Sequence, residues 1–225
     1  MWEPQPQPKR GPRPTLTVEA IAGAGIVIAD AEGLAAVTMQ RVAERLGVTK
    51  MALYRYVPGK SELVAIMIDL AIGGPPDAAG RTWRTKLDGW ARALFDRFCR
   101  HPWAIEATVG PRIVGPQELS WLEQAVAALS RTALTGGEKL DVAVLLTGHV
   151  RNLAQQITAL PTTGAVEHAM ESAFQVVLAG REERFPALTE ALASAAASGE
   201  PDQALDFGLA RILDGIQALI RSRGA

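Results

Sequence analysis

The sequence is poor in the residues that form disulfides and hold metals. It contains one cysteine, Cys99, and three histidines in 225 residues. A single thiol cannot close an intramolecular disulfide, and no cysteine and histidine cluster has the spacing of a metal site. We therefore expect a chain that folds in the reducing cytoplasm and needs neither a metal nor another cofactor.

Long apolar runs are absent as well. No stretch approaches the roughly 18 uninterrupted apolar residues that a membrane span needs, and residues 1–14 are polar and proline-rich, unlike a secretion signal. The alternation typical of half-buried strands is almost missing, whereas helical periodicity runs along most of the chain. The sequence therefore predicts an all-α protein outside the membrane.

Basic residues are concentrated toward the N-terminus. Residues 1–60 hold eight Lys or Arg and five Asp or Glu, although the whole chain has a net charge of -1. Such an excess is suited to holding DNA. Many globular domains show one as large, so the charge alone favours a nucleic-acid partner only slightly.

Glycine and proline divide the helical pattern into segments. The first half of the chain predicts helices at 18–32, 38–46, 49–57 and from Ser61 to the Gly73-Gly74-Pro75-Pro76 break, with Thr17, Thr38 and Thr49 as N-caps. The second half predicts helices at 82–100, 117–133, 138–160, 165–179 and 203–221, and a mobile small-residue stretch at 193–201.

The break after residue 72 is the expected domain boundary. Together with the end of the polar N-terminal segment, it divides the chain into a flexible basic arm at 1–14, a three-helix bundle with a helix-turn-helix at 15–74 and a larger helical domain at 75–225.

Two short helices joined by a glycine carry the functional pattern. Small Ala43 permits close helix crossing and Gly47 permits a sharp turn. The remaining inward positions are apolar: Val42, Leu46, Val48, Leu53 and Val57. The outward positions carry groups that meet base edges and phosphates: Gln40, Arg41, Lys50, Arg55 and Tyr56.

This segment resembles the DNA-binding domain of the tetracycline-repressor (TetR) family. The resemblance covers about residues 13–72 and rests on Leu46-Gly47-Val48, Leu53-Tyr54-Arg55-Tyr56-Val57 and Lys60-Ser61-Glu62-Leu63. It implies a cytoplasmic homodimer that binds double-stranded operator DNA. Carried over by position, it assigns DNA contacts to Thr38, Met39, Gln40, Lys50, Met51, Ala52, Tyr54, Arg55, Tyr56 and Lys60.

Some of these positions have a second interpretation. Met51 and Ala52 lack hydrogen-bonding side chains, so they could read DNA only through apolar contacts, for example with a thymine methyl. Tyr54 and Tyr56 could instead complete the small core, and Lys60 could be a solvated loop charge. The basic segment 9–13 could lie along DNA or be an inert tail.

Beyond Pro76 the resemblance is weaker but persists in His101-Pro102-Trp103, Gly115-Pro116 and Phe207-Gly208-Leu209. In proteins of this type the C-terminal domain binds a small effector and forms the dimer, so the resemblance implies both. The last helix also carries a strip of small residues suited to close helix approach: Ala204, Gly208, Gly215 and Ala218.

The helix at 138–160 places polar groups within an apolar stripe. His149 and Gln156 share a face with Val142, Leu146 and Leu153. We expect them to orient an apolar or amphipathic effector, with further ligand contacts from Trp90, Phe98, Trp103, Trp121 and Asn152. Alternatively, His149 bonds a neighbouring helix or lies at the dimer seam.

Motifs of catalysis are missing. Gly23-Ala24-Gly25 is half of a dinucleotide fingerprint without its third glycine or a preceding strand, and the sequence has neither a Gly-x-Ser-x-Gly elbow nor a Walker loop. We therefore expect a repressor released by a small molecule rather than an α-helical enzyme or binding protein for one. An activator of the same fold that answers a protein partner stays open.

Overall fold

The computed structural model describes residues 16–159, 176–198 and 204–224, and every regular element in these ranges is helical. The predicted all-α class is therefore confirmed. The basic arm at 1–14 and most of the helix predicted at 165–179 lie outside the described residues.

Four helices form the N-terminal part. In chain order they are α1 (Val18–Glu32), α2 (Met39–Leu46), α3 (Lys50–Leu53) and α4 (Lys60–Ile72). The helices with described bounds that follow are α5 (Trp83–Arg100), α6 (Trp103–Ala107), α7 (Pro116–Ala128), α8 (Gly136–Thr158), α9 (Pro186–Ser198) and α10 (Ala204–Gly224). Residues 176–178 are also helical. Short 3-10 turns lie at Leu34–Ala36 and Glu182–Arg184.

Threonines begin several of these helices, as the sequence predicts for three of them. The hydroxyl of Thr17 accepts the Ala20 N–H at 3.1 Å, and Thr38 and Thr49 cap α2 and α3 in the same way. A cap of this kind satisfies one of the backbone donors that a helix start leaves free. Thr82 and Thr135 add capping boxes at α5 and α8.

Some boundaries differ from the expectations. The second short helix ends at Leu53 and continues as a turn to Tyr56, where the approach to Pro58 stops it. The stretch 193–198, predicted as mobile, is the end of α9, because its alanines favour a helix. In α4, Leu63 and Met67 are buried, whereas Leu70 is exposed.

Helix α4 connects the two halves of one apolar core. It packs along α1 on one side and also contacts α5, α6 and α7. Gly25 of α1 lets the two helices approach closely, since a Cβ there would lie 2.6 Å from the sulfur of Met67. The buried apolar cluster is continuous from α1 to α10. A shift of α4 would therefore change its packing against both α1 and the helices α5, α6 and α7.

Candidate nucleic-acid interface and effector cavity

The turn between α2 and α3 is built by Gly47. Its φ of 66° is the left-handed conformation that ends helices and favours glycine. The chain then folds back, with the Val48 N–H bonded to the Ala43 carbonyl at 3.0 Å. Val42 and Ala43 from α2 and Leu53 from α3 are almost fully buried. The predicted helix-turn-helix is confirmed.

The outer surface of this pair is polar and cationic. Gln40 donates to Glu44 at 2.7 Å, and the Lys50 ammonium lies 5.8 Å from the centre of the Tyr54 ring. The side chains of Arg55 and Lys60 have no ion pair or hydrogen bond with other described residues. Exposed cations without such a partner suit contact with phosphates.

Most of the expected DNA-contacting residues are exposed. Met39 is the exception, because its side chain is 6% exposed and packs in the core. Ala52 and Tyr56 are half-buried. The others are exposed: Thr38, Gln40, Lys50, Met51, Tyr54, Arg55 and Lys60.

An ion pair fixes α2 against the end of α1. Arg41 donates to Glu32 at 2.9 Å and to the Ala36 carbonyl at 3.3 Å. The hydrogen bond from Arg41 lowers the pKa of Glu32, and the same bond raises the pKa of Arg41. Arg41, which the sequence places among the outward groups, therefore orients α2.

A second candidate site is a cavity of about 390 Å³ between α5, α7 and α8. Ile72, at the end of α4, also reaches it. Its wall is largely apolar and aromatic, which is typical of small-molecule sites. The wall residues from the three helices include Trp90, Leu94, Phe98, Leu119, Trp121, Leu122, Ala143, Val144, Thr147, Gly148 and Arg151.

Two tryptophans form the back of this cavity. Trp90 and Trp121 pack edge to face, with ring centroids 5.7 Å apart and planes at 70°. The Trp90 indole N–H donates to the Trp121 carbonyl at 2.9 Å, and the Trp121 indole donates to the Gly73 carbonyl at 2.7 Å. Both indole N–H groups are thus engaged within the protein.

The charged groups of the wall comprise one ion pair and one further arginine. Arg112 and Glu118 are joined by two hydrogen bonds, one of them 2.6 Å long between Nη1 and Oε2. The side chain of Arg151 has no hydrogen bond or ion pair with other described residues. Across residues 16–159, 176–198 and 204–224, no acidic, histidine or cysteine cluster could hold a metal ion.

Asp69 joins α4 to the start of α7. Its Oδ1 accepts the N–H groups of Gln117 at 2.9 Å and Glu118 at 3.1 Å, as a helix N-cap does. Asp69 is the buried charged residue among those the structure describes, with 5% of its surface exposed. Burial raises the pKa of this carboxyl, although the two N–H donors offset part of the rise.

Replacement of Asp69 by Asn should change how stability depends on pH. The folded-state pKa of Asp69 lies above the unfolded value of 3.8, so the folded protein holds the proton more tightly. Ionisation thus lowers wild-type stability as pH rises through this window. Asn keeps an acceptor oxygen and does not titrate. We expect the free energy of unfolding of Asp69→Asn, relative to wild type, to increase from pH 4 to pH 7.

Urea unfolding at four pH values in this range measures that difference. Glu118, whose charge also raises the pKa of Asp69, is intact in both proteins. A difference that stays constant or decreases with pH would contradict the buried, ionising carboxyl.

The structure brings three of the expected ligand contacts to the cavity and leaves four outside it. Trp90, Phe98 and Trp121 line the wall. Asn152 and Gln156 are exposed on α8 and do not line the cavity. Trp103 and His149 have other surroundings.

Trp103 lies where α1 meets α6. Its indole N–H donates to Asp30 Oδ1 at 2.7 Å, and the same oxygen is 2.8 Å from His101 Nδ1. This bond holds Trp103 at the junction, and the residue does not line the cavity described above.

His149 packs against α10. A Cβ at Gly208 would lie 2.2 Å from its ring. Its Nε2 is buried without a hydrogen-bond partner among the described residues. Gly208 therefore permits the close approach of α8 and α10 within one chain.

Several residues of the cavity were not identified from the sequence. Thr147 and Arg151 are four residues apart on α8, and Gly148 lies beside them. The spacing of Ala143, Thr147 and Arg151 is a local signal that could have found this face. Arg112 lies in a loop before α7, where no periodicity marks it.

A helix-turn-helix with exposed cationic side chains, followed by a helical domain around a cavity, is an arrangement typical of DNA-binding regulators. The sequence matches the family described as "Bacterial regulatory proteins, tetR family" over residues 21–67. Residues 75–220 match "Tetracyclin repressor-like, C-terminal domain". The chain belongs to the TetR family of transcriptional regulators.

Known relatives span nearly the whole chain. It is 34% identical over 234 aligned residues to the HTH-type transcriptional repressor DrrR1 of Streptomyces coeruleorubidus, covering 99% of this chain and 85% of that repressor. The fold resembles apo ActR of Streptomyces coelicolor, with a TM-score of 0.75, 23% identity and coverage of 95% and 99% of the two chains. ActR in complex with actinorhodin gives 0.75, 24% identity and coverage of 91% and 97%.

None of the described helices has both the length and the apolar character that a membrane span requires.

Proposed function

We propose that this regulator is a cytoplasmic repressor that binds a two-fold symmetric operator as a homodimer and is released when a small molecule fills the cavity. The observation that carries the proposal is the junction of α4 with α7. Helix α7 forms part of the cavity wall, and Asp69 and Trp121 bond it to the helix that packs on α1. Repressor function is further supported by the relationship to DrrR1.

The division of labour follows the predicted boundary. Residues 15–74 read DNA, residues 75–225 bind the effector and the second subunit, and α4 transmits the change between them. A ligand can shift this equilibrium only if it binds one state better than the other. Contacts with Ile72 and Trp121 give a ligand direct access to α4 and α7.

Helices α8 and α10 are proposed as the dimer surface. They expose large apolar side chains in the single chain, including Leu145 at 52% and Phe207 at 65%. Gly215 has no atom within 4 Å of an added Cβ, so its side of α10 is open to a second subunit. A two-fold dimer would present two recognition helices to successive major grooves.

Removal of the free cations should weaken operator binding. We expect Arg55→Ala and Lys60→Ala each to lower affinity about tenfold to a hundredfold, because each loses a contact with DNA. Lys60→Ala should act alike on all sequences and reduce the salt slope by about one. The operator is first selected from genomic fragments, and fluorescence anisotropy then measures affinity.

Arg131→Ala is the matched control, since this exposed arginine lies in the turn after α7. The control should retain wild-type affinity. Full operator affinity in the Arg55→Ala, Lys60→Ala double variant would contradict the assignment of this surface.

The release step is tested on the same complexes. Compounds that raise the melting temperature are titrated against the protein–operator complex, and a tenfold fall in affinity corresponds to about 1.4 kcal/mol of coupling. Gly148→Leu places a larger side chain at a cavity position where an added Cβ meets no atom within 4 Å. Release that persists unchanged in Gly148→Leu would show that the effector acts elsewhere.

A further inference from the structure

The cavity wall has an apolar part and a polar part. The apolar part is aromatic and is formed by Trp90, Phe98 and Trp121. Polar groups lie on one face of α8, where Thr147 and Arg151 are one turn apart. A ligand that fills the space would therefore meet an apolar wall along its body and a polar face along α8.

The donors of the aromatic wall are already used. Both indole N–H groups bond backbone carbonyls, and the hydroxyl of Thr108 donates to the Ile105 carbonyl at 2.9 Å. The wall at these positions offers ring surface and carbon to a ligand. Recognition of a polar group is left to Thr147 and Arg151, neither of which bonds another described side chain.

The charges of the wall do not balance. Arg112 and Glu118 neutralise each other through their two hydrogen bonds. Arg151 is half-buried and has no partner among the described residues. A neutral apolar ligand would displace water from this cation without replacing its hydrogen bonds, which costs free energy. A ligand with its own anionic group would restore them.

We propose that the cavity binds an aromatic molecule that carries an acidic group, with Arg151 as the partner of that group. The guanidinium presents a planar fork of donors that matches a carboxylate or sulfonate. The proposal rests on the proposed effector function and names the chemical class of the effector.

Two fluorescent probes with nearly the same aromatic body test the charge requirement. Anilinonaphthalene sulfonate carries an anionic group, and N-phenylnaphthylamine lacks it. We expect wild-type protein to bind the sulfonate more tightly. Arg151→Met, which keeps an apolar stem without the charge, should weaken sulfonate binding about tenfold to a hundredfold and leave the neutral probe unaffected or bound more tightly.

Three controls make the result specific. Arg151→Lys should recover part of the sulfonate affinity, and Arg131→Met should leave both probes unchanged. Gly148→Leu should weaken both probes, because it occupies the shared space. The proposal would be overturned if wild type bound the two probes with equal affinity, or if Arg151→Met weakened both probes equally. It would also be overturned if neither Arg151→Met nor Gly148→Leu changed the affinity for the sulfonate.

Operator affinity is measured in the same samples to separate two failures. A sulfonate that binds through Arg151 without changing operator affinity contradicts the release mechanism and supports the ligand class. Release by the neutral probe alone supports the mechanism and overturns the ligand class.

Discussion

Trp121→Ala should lower the free energy of unfolding by about 3 to 5 kcal/mol, the usual cost of removing a large buried aromatic side chain. Trp121 is 3% exposed and packs edge to face on Trp90. Its indole also holds the Gly73 carbonyl just after α4. The substitution therefore opens the cavity wall and removes a tie between α7 and α4. Chemical denaturation measures the loss.

Trp121→Phe separates packing from coupling. Phe retains a ring beside Trp90 and loses the 2.7 Å hydrogen bond to Gly73. We expect it to cost about 1 kcal/mol from the lost bond and to weaken ligand-induced release more than ligand binding. Trp83→Ala, at the half-buried start of α5, is a control outside the cavity. If Trp121→Phe lowered neither stability nor release, the bond would have no role in transmission.

Local signals explain why the helix-turn-helix could be predicted from the sequence. Threonine caps, the left-handed Gly47 and apolar spacing all act within a few residues. The burial of Met39 has a tertiary cause. Position carried over from the family placed it on the DNA side, whereas its unbranched side chain packs inward with the N-terminal core.

The cavity was harder to predict from the sequence, because its geometry depends on contacts between residues far apart in the chain. Trp103 bonds Asp30, 73 residues away, and no local pattern encodes that partner. On α8, the sequence pattern alternates steps of three and four residues, and this pattern placed Gln156 on the buried face. In the structure, four buried positions are instead spaced four residues apart, which turns the buried face away from Gln156: Val142, Leu146, Val150 and Ala154.

The junction of α4 and α7 was missed for a similar reason. In the sequence Asp69 is one acidic residue in a predicted helix, and Gly115 precedes a proline at a joint. The structure brings them together across 46 positions, where the Oδ1 of Asp69 caps α7. The φ of Gly115 is -88°, a value open to any residue. Space, rather than backbone conformation, therefore requires glycine there.

Gly115→Ala should accordingly destabilise the protein by about 3 kcal/mol, the upper end of the range for overpacking. An added Cβ would lie 2.1 Å from Asp69 Oδ1, an atom held by two backbone donors and unable to move without losing them. Asp69→Ala alone should cost about 1 to 3 kcal/mol through those unpaired donors. Because Asp69→Ala also removes the clash, the double variant should be more stable than the sum of the two losses predicts.

Gly148→Ala is the matched control, since a Cβ there meets no atom within 4 Å, and should stabilise α8 by up to about 1 kcal/mol. Urea unfolding of the four variants decides the matter: strictly additive losses, or a Gly115→Ala protein as stable as Gly148→Ala, would show that Asp69 does not hold the start of α7.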